Sequence, residues 1–164
     1  MALMISKEQE YQAWRSEFLN ALFDDVGKEY VEIRELPEGK QYFLKQGEYE
    51  NCKVPSNKNV YFGVFARTKK SGKAEACSTT GALFADYDFK GLALDKRLEE
   101  VRQRIEKAGL PKPSILVNSG NGIHTYWLLK RRAGEEALKV LKAIALATNA
   151  DMKATDKARI MRLP

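Results

Sequence analysis

The stretch Gly81-Ala-Leu-Phe-Ala-Asp-Tyr-Asp88 constrains this chain more than any other. It is almost wholly apolar until it ends in two aspartates, the pattern of a strand covered on both faces. Residues two apart on a strand share a face, so Asp86 and Asp88 point together with Cα atoms roughly 6 to 7 Å apart, while Tyr87 points away. Phe84 lies on the aspartates' side, and that face passes from core to acid at the strand's C-terminal end. Such a pair can share a divalent cation. Asp-x-Asp is also a common way to close a strand, and the pattern alone does not separate the two readings.

The flanking sequence supplies helices and more strands. Ser6 with Gln9 makes a capping box for a helix in which Tyr11, Trp14, Phe18 and Leu22 recur up to about Phe23, with Trp14 and Phe18 read as core. Residues 31–34 and 41–44 alternate as a hairpin around a Pro-Glu-Gly turn, and a polar loop containing Pro55-Ser56-Asn57 leads to an apolar strand at 60–66. A basic loop follows, with Arg67, Lys69, Lys70 and Lys73; it can reach a phosphate backbone or simply keep a hairpin tip soluble. Asp95 is placed to cap a helix whose stripe is Leu98, Val101, Ile105 and Ala108, closed by Gly109 and Pro111. Residues 114–118 and 123–129 read as strands joined by the tight turn 119–122, and residues 134–147 as a helix burying Leu138, Leu141 and Ala145 with Val140, Ile144 and Ala147 alongside. Strands interleaved with such helices predict an α/β or α+β sandwich.

At 164 residues, 44% of them apolar, the chain has the length of a single globular domain and enough apolar side chains for a sizeable core. A formal charge of +6 suits a polyanionic partner without identifying one. Cys52 and Cys77 form neither a metal-binding pair nor a disulfide framework, and no segment approaches the ~20 apolar residues of a membrane span. The expected location is cytoplasmic, with no membrane partner.

Around the paired aspartates stand other groups with chemistry. Asp151 and Asp156 follow the last helix, Arg159 and Arg162 share one face of a short strand with Met161 opposite, and His124 follows a turn in which Gly120 and Gly122 let backbone approach a ligand. Mg²⁺ or Mn²⁺ takes hard carboxylate oxygens, and phosphoryl transfer uses two such ions beside Arg or Lys that hold a triphosphate. Each residue also has a plain reading: the histidine as a core or surface residue, the arginines as surface charges.

Taken together, Ala85-Asp-Tyr-Asp88, Ser119-Gly-Asn-Gly-Ile-His124 and the segment from Ala150 to Pro164 resemble, in order and spacing, the three signature motifs of the archaeo-eukaryotic primase superfamily, especially the primase-polymerases of phages and plasmids. The resemblance covers roughly residues 30 to 164. It implies an α+β primase-polymerase core with an RRM-like antiparallel or mixed sheet flanked by helices and a smaller N-terminal α/β lobe. The lobes would divide near residue 75, into about 1–75 and a metal-site lobe of about 76–164. It makes Asp86, Asp88 and Asp151 the ligands of a two-ion Mg²⁺ or Mn²⁺ site and His124 a contact to the triphosphate. Asp156 becomes a cap or an arginine's partner. Ser119, Gly120, Gly122, Arg159, Arg162 and Arg67 are the expected nucleotide contacts; Arg34, Lys69, Lys70 and Lys73 are expected to meet nucleic acid. The implied activity joins dNTPs or NTPs to a primer 3′ hydroxyl on a DNA template, with a helicase module or other replication protein as a possible partner. The family's third motif continues past its proline into further nucleotide-binding residues, so a chain ending at Pro164 is expected to stop short of that motif's end. Two other functions use parts of the same set: a non-catalytic replication-initiation module that binds DNA or nucleotide, and a metal-dependent nuclease.

Overall fold

The computed structural model describes residues 7–52 and 59–164; Ser6 with its capping box and the Pro55-Ser56-Asn57 loop lie outside the described residues. The elements run α1 (Lys7–Phe23), β1 (Val31–Leu36), β2 (Gln41–Leu44), β3 (Asn59–Gly63), β4 (Thr80–Asp88), α2 (Leu94–Lys107), β5 (Ile115–Asn118), β6 (Gly122–Ala133), α3 (Glu136–Thr148) and β7 (Ile160–Arg162). Two antiparallel sheets result, one in the order β2-β1-β3-β7 and the other β4-β6-β5. The fold is α+β. No helix among the described residues is long and apolar enough to cross a membrane.

Alternation along β4 explains the layering. Ala82 and Phe84 join a core with Phe18, Leu22 and Phe23 of α1 and Val31, Ile33 and Phe62 of the first sheet. Ala85 and Tyr87, on the other face, pack with Val101 and Ile105 of α2 and Ile144 and Ala145 of α3. The second sheet is therefore covered on both sides, as its apolar sequence requires. Phe18, Phe62 and Tyr126 join the layers, with ring centroids 5.1 and 5.2 Å apart for the two pairs that Phe18 makes. Tyr87 donates from its hydroxyl to Thr148 of α3 at 3.0 Å, which locks the back face of β4.

Several local expectations differ from the structure. Trp14 is 50% exposed rather than core, because the N-terminal half of α1 faces the edge strand β5 across an open groove and only its C-terminal half meets both sheets. Asp95 lies inside the first turn of α2, whose cap is Ala93, so it acts on the helix end through charge rather than as a cap. Val140 is exposed on α3. The strand expected at 60–66 ends at Gly63, after which Val64 and Ala66 bond to Arg159 and Thr79. The last strand, β7, does not stay with the sheet of the second half of the chain; it returns to pair with β3 in the first sheet.

Candidate active site

That return of β7 creates the site. Residues that are Cα partners across an antiparallel ladder share a face, and Asp86 pairs with His124 and Asp88 with Gly122. Tyr61 pairs with Arg162 in the other sheet. The two faces meet across a cavity of about 450 Å³ lined by Asp86, Asp88, His124, Ser119, Gly120 and Asp151 on one side and Tyr61 and Arg162 on the other. Asp86, Asp88 and His124 come from one sheet, Arg162 and Tyr61 from the other, and Asp151 from the segment after α3.

Asp151 is delivered by the end of α3. Asn149 takes the left-handed conformation (φ 53°) that closes the helix, and Asp151 N–H then donates to Asp86 O at 2.8 Å, tying the chain to the end of β4. Its Oδ1 accepts from Lys153 N–H at 2.9 Å and caps a 3-10 turn, Met152–Ala154. The opposite wall depends on two glycines. Gly120 has φ +100°, and a Cβ on Gly122 would stand 2.0 Å from Tyr87 O, so no other residue fits where β6 crosses the end of β4. Within the turn, Ser119 N–H donates to Gly122 O and Gly120 N–H to Asn118 Oδ1, so these amides serve the loop rather than a ligand.

The charges are incompletely matched. Asp86 lies 3.4 Å from His124 Nε2 and 3.4 Å from an Arg159 nitrogen, and the same nitrogen is 3.7 Å from Asp151. Burial pushes the Asp86 carboxyl above its usual range; Arg159 opposes that shift, and the neighbouring Asp151 and Asp88 add to it. His124, 5% exposed, falls to about 4 through burial and the positive charges of Arg159 and Arg162. At neutral pH the imidazole is uncharged, so its contact with Asp86 is not an ion pair. His124 Nδ1, Arg159 Nε and Tyr126 Oη are buried without a protein partner. Arg162 spans the cavity edge, donating to Ser119 O at 3.2 Å and to Asn59 Oδ1.

The remaining candidates divide. Arg159 is not on a strand face with Arg162: residues three apart on a strand point to opposite faces, and β7 begins only at Ile160, which leaves Arg159 on the preceding turn, aimed at Asp86. Asp156 is exposed and accepts Arg159 N–H on its main-chain oxygen. Arg67 is not available to a nucleotide: it is fully buried, with Nε and Nη2 on Glu32 at 3.1 and 2.8 Å and Nη1 on Phe65 O and Cys77 Sγ. Arg34 is the Cα partner of Tyr61, so it extends the row Arg162, Tyr61, Arg34 across the first sheet, and the exposed Lys69, Lys70 and Lys73 sit on the loop packed against it through Gly72. Tyr61 carries no sequence signal; only the β3–β7 register brings it to the site. Among the described residues, no group of three or more His, Cys, Asp or Glu side chains is close enough together to hold a metal ion.

No family model and no curated protein matches this chain. Solved structures do. The AEP domain of the cyanophage S-2L primase-polymerase superposes with a TM-score of 0.69 over 93% of this chain and 80% of that one, at 20% identity. Primase RepB′ does so with a TM-score of 0.60 at 16% identity over 93% of this chain, which spans about half (49%) of the RepB′ chain. The catalytic domain of primase RepB′ in complex with initiator DNA gives 0.54 at 14% identity, over 92% of this chain and 76% of that one. The chain has the fold of primase-polymerase catalytic domains.

Proposed function

We propose that this chain is a template-directed nucleotidyltransferase, a DNA primase or polymerase that joins dNTPs or NTPs to a primer 3′ hydroxyl and releases pyrophosphate. The observation that carries this reading is the opposition of Asp86 and Asp88 on one sheet to Arg162 on the other across a single cavity, with Arg159 beside Asp86. The residues that would hold Mg²⁺ or Mn²⁺ are Asp86, Asp88 and Asp151, which offer hard oxygens to one cavity, and Asp86 bears a burial cost that Arg159 does not fully offset, a balance that a divalent cation would relieve. When bound, such ions favour the attacking alkoxide and neutralise the leaving phosphates.

The chain's own groups do the rest. Arg162 and Arg159 face the carboxylates and hold phosphate oxygens, and His124 donates a neutral N–H to the same triphosphate. Ser119, Gly120 and Gly122 form the wall that lets the triphosphate approach the acids. Arg34, Lys69, Lys70 and Lys73, on the same side of the first sheet as Tyr61, lie where template and primer phosphates would run; the RepB′ structure with initiator DNA supports a DNA-binding role for this fold.

The test is primer extension with Mg²⁺ or Mn²⁺ on a DNA template, beside Asp88→Ala. Extension that disappears in the variant supports the reading. DNA shortened without any nucleotide would point to hydrolysis instead, and metal-independent DNA binding with no extension to a non-catalytic module.

A further inference from the structure

We propose that Arg159 is a removable counterion: it bridges Asp86 and Asp151, gives way to a divalent cation, and is thereby released to the incoming phosphate. The inference rests on those aspartates being the cation's ligands, and the test below separates the two ideas.

The bridge is loose on its side-chain end and fixed on its backbone end. Arg159 N–H donates to Asp156 O at 3.3 Å, and Arg159 O accepts from Val64 N–H at 3.4 Å, so the Cα is tied to both neighbouring segments. The guanidinium, 29% exposed, makes only long contacts: one nitrogen lies 3.4 Å from Asp86 Oδ2 and 3.7 Å from Asp151 Oδ2. A guanidinium that recognises a carboxylate for good uses its fork, two parallel bonds of about 2.7 to 2.9 Å. Arg159 does not, and its buried Nε has no protein partner. Arg67 shows the alternative in the same molecule, with two nitrogens on one Glu32 oxygen and no exposure.

A divalent cation held by the Asp86 and Asp151 carboxylates would stand beside the guanidinium, like charge against like. The guanidinium, held only by long contacts, is the partner that can give way. It does not go far. Arg159 and His124 Nε2 each lie 3.4 Å from the Asp86 carboxylate, so the guanidinium already stands beside a group that would hold phosphate. Cation and nucleotide then bind cooperatively, because the first frees a contact for the second.

The experiment measures Mn²⁺ binding without nucleotide, by calorimetry, for the wild type, Arg159→Gln, Arg159→Lys and Asp86→Asn. Partly exposed pairs at these distances are weak, so Arg159→Gln should bind Mn²⁺ roughly three- to tenfold more tightly than the wild type. Arg159→Lys keeps the charge and should stay within about twofold of the wild type. The gain in dNTP affinity that Mn²⁺ produces should shrink in Arg159→Gln, measured the same way. Mn²⁺ affinity in Arg159→Gln equal to or below the wild type overturns the proposal, as does a lysine variant that binds as tightly as the glutamine one. If Asp86→Asn retains full Mn²⁺ binding, it is the cation assignment that fails, whatever Arg159 does.

Discussion

One buried and one partly buried carboxylate in this molecule meet arginine in opposite ways. Glu32 is fully buried and accepts from Arg67 twice, from Arg34 Nε at 2.9 Å and from Gln41 at 2.7 Å. Burial alone would raise its carboxyl, but those bonds outweigh it and the group ends below its ordinary range. Asp86 has more exposure and fewer bonds, with its two cationic or imidazole neighbours both 3.4 Å away, and there burial wins. A carboxylate whose bonds are complete holds the fold together, whereas one left short of partners beside orphaned donors can take a ligand. The first joins β1 to the loop that carries the lysines; the second ends the face that opens into the cavity.

Substitutions should split along that line. Asp86→Ala is expected to lower Mn²⁺-dependent primer extension by about a thousandfold or more, the scale of losing several kcal/mol of metal-borne stabilisation. Its circular dichroism and cooperative melting should persist. Arg67→Ala should do the reverse. It strands the Glu32 charge, which costs about 3 to 5 kcal/mol and lowers the melting temperature by about 10 °C in a domain of this size, while extension per folded molecule stays near the wild-type value. An Arg67→Ala protein that melts normally but fails to use nucleotide would return Arg67 to the site. His124→Ala should have a smaller effect. Since the imidazole is neutral, its donated bond is worth about 0.5 to 1.5 kcal/mol, so calorimetry should show dNTP binding weakened roughly tenfold or less, with Mn²⁺ affinity unchanged.

Sequence periodicity carried the acid strand well. Asp86, Asp88 and Phe84 share a face as residues two apart must, Tyr87 points away, and the hairpin of β1 and β2 sits where alternation placed it. What pattern cannot convey is which strand pairs with which. Tyr61 and Arg162 become neighbours only because β7 crosses back to β3, about a hundred residues earlier in the chain, and that pairing moves Arg159 off the strand and toward Asp86. Arg67 failed as a site residue for a related reason: a basic loop looks solvated in sequence, and only the fold puts the Glu32 carboxylate beneath its first residue. Trp14 shows the same limit for helices, since a stripe reports one apolar face and not how far a neighbouring sheet extends along it.

The smallest effect is a stability difference that reverses sign between the two carboxylates. Asp86 has its folded value raised above its ordinary 3.8, so the folded state binds its proton more tightly than the unfolded state does. Stability therefore falls as pH rises through that interval, and at neutral pH the full penalty is present. Glu32 is lowered from 4.5, so its contribution is present above that value and is lost as pH falls through the folded one. Asp86→Asn, which removes the ionised form, should then melt slightly above the wild type at pH 7, by a few degrees at most, as expected where a site holds charge at the expense of stability. The gap should narrow as pH falls through the raised folded value and close below the ordinary 3.8. Glu32→Gln should melt below the wild type at pH 7, and its deficit should close only below about pH 4.5. His124 adds a common background: its value falls from 6.5 to about 4 on folding, so every variant that retains it loses stability between those values as pH drops, and the comparison must be made between proteins at one pH. Melting curves from pH 3 to 8 measure all of this. An Asp86→Asn protein that melts below the wild type at pH 7 would mean that the contacts to Arg159 and His124 stabilise the fold after all, and that the two carboxylates differ in degree rather than in kind.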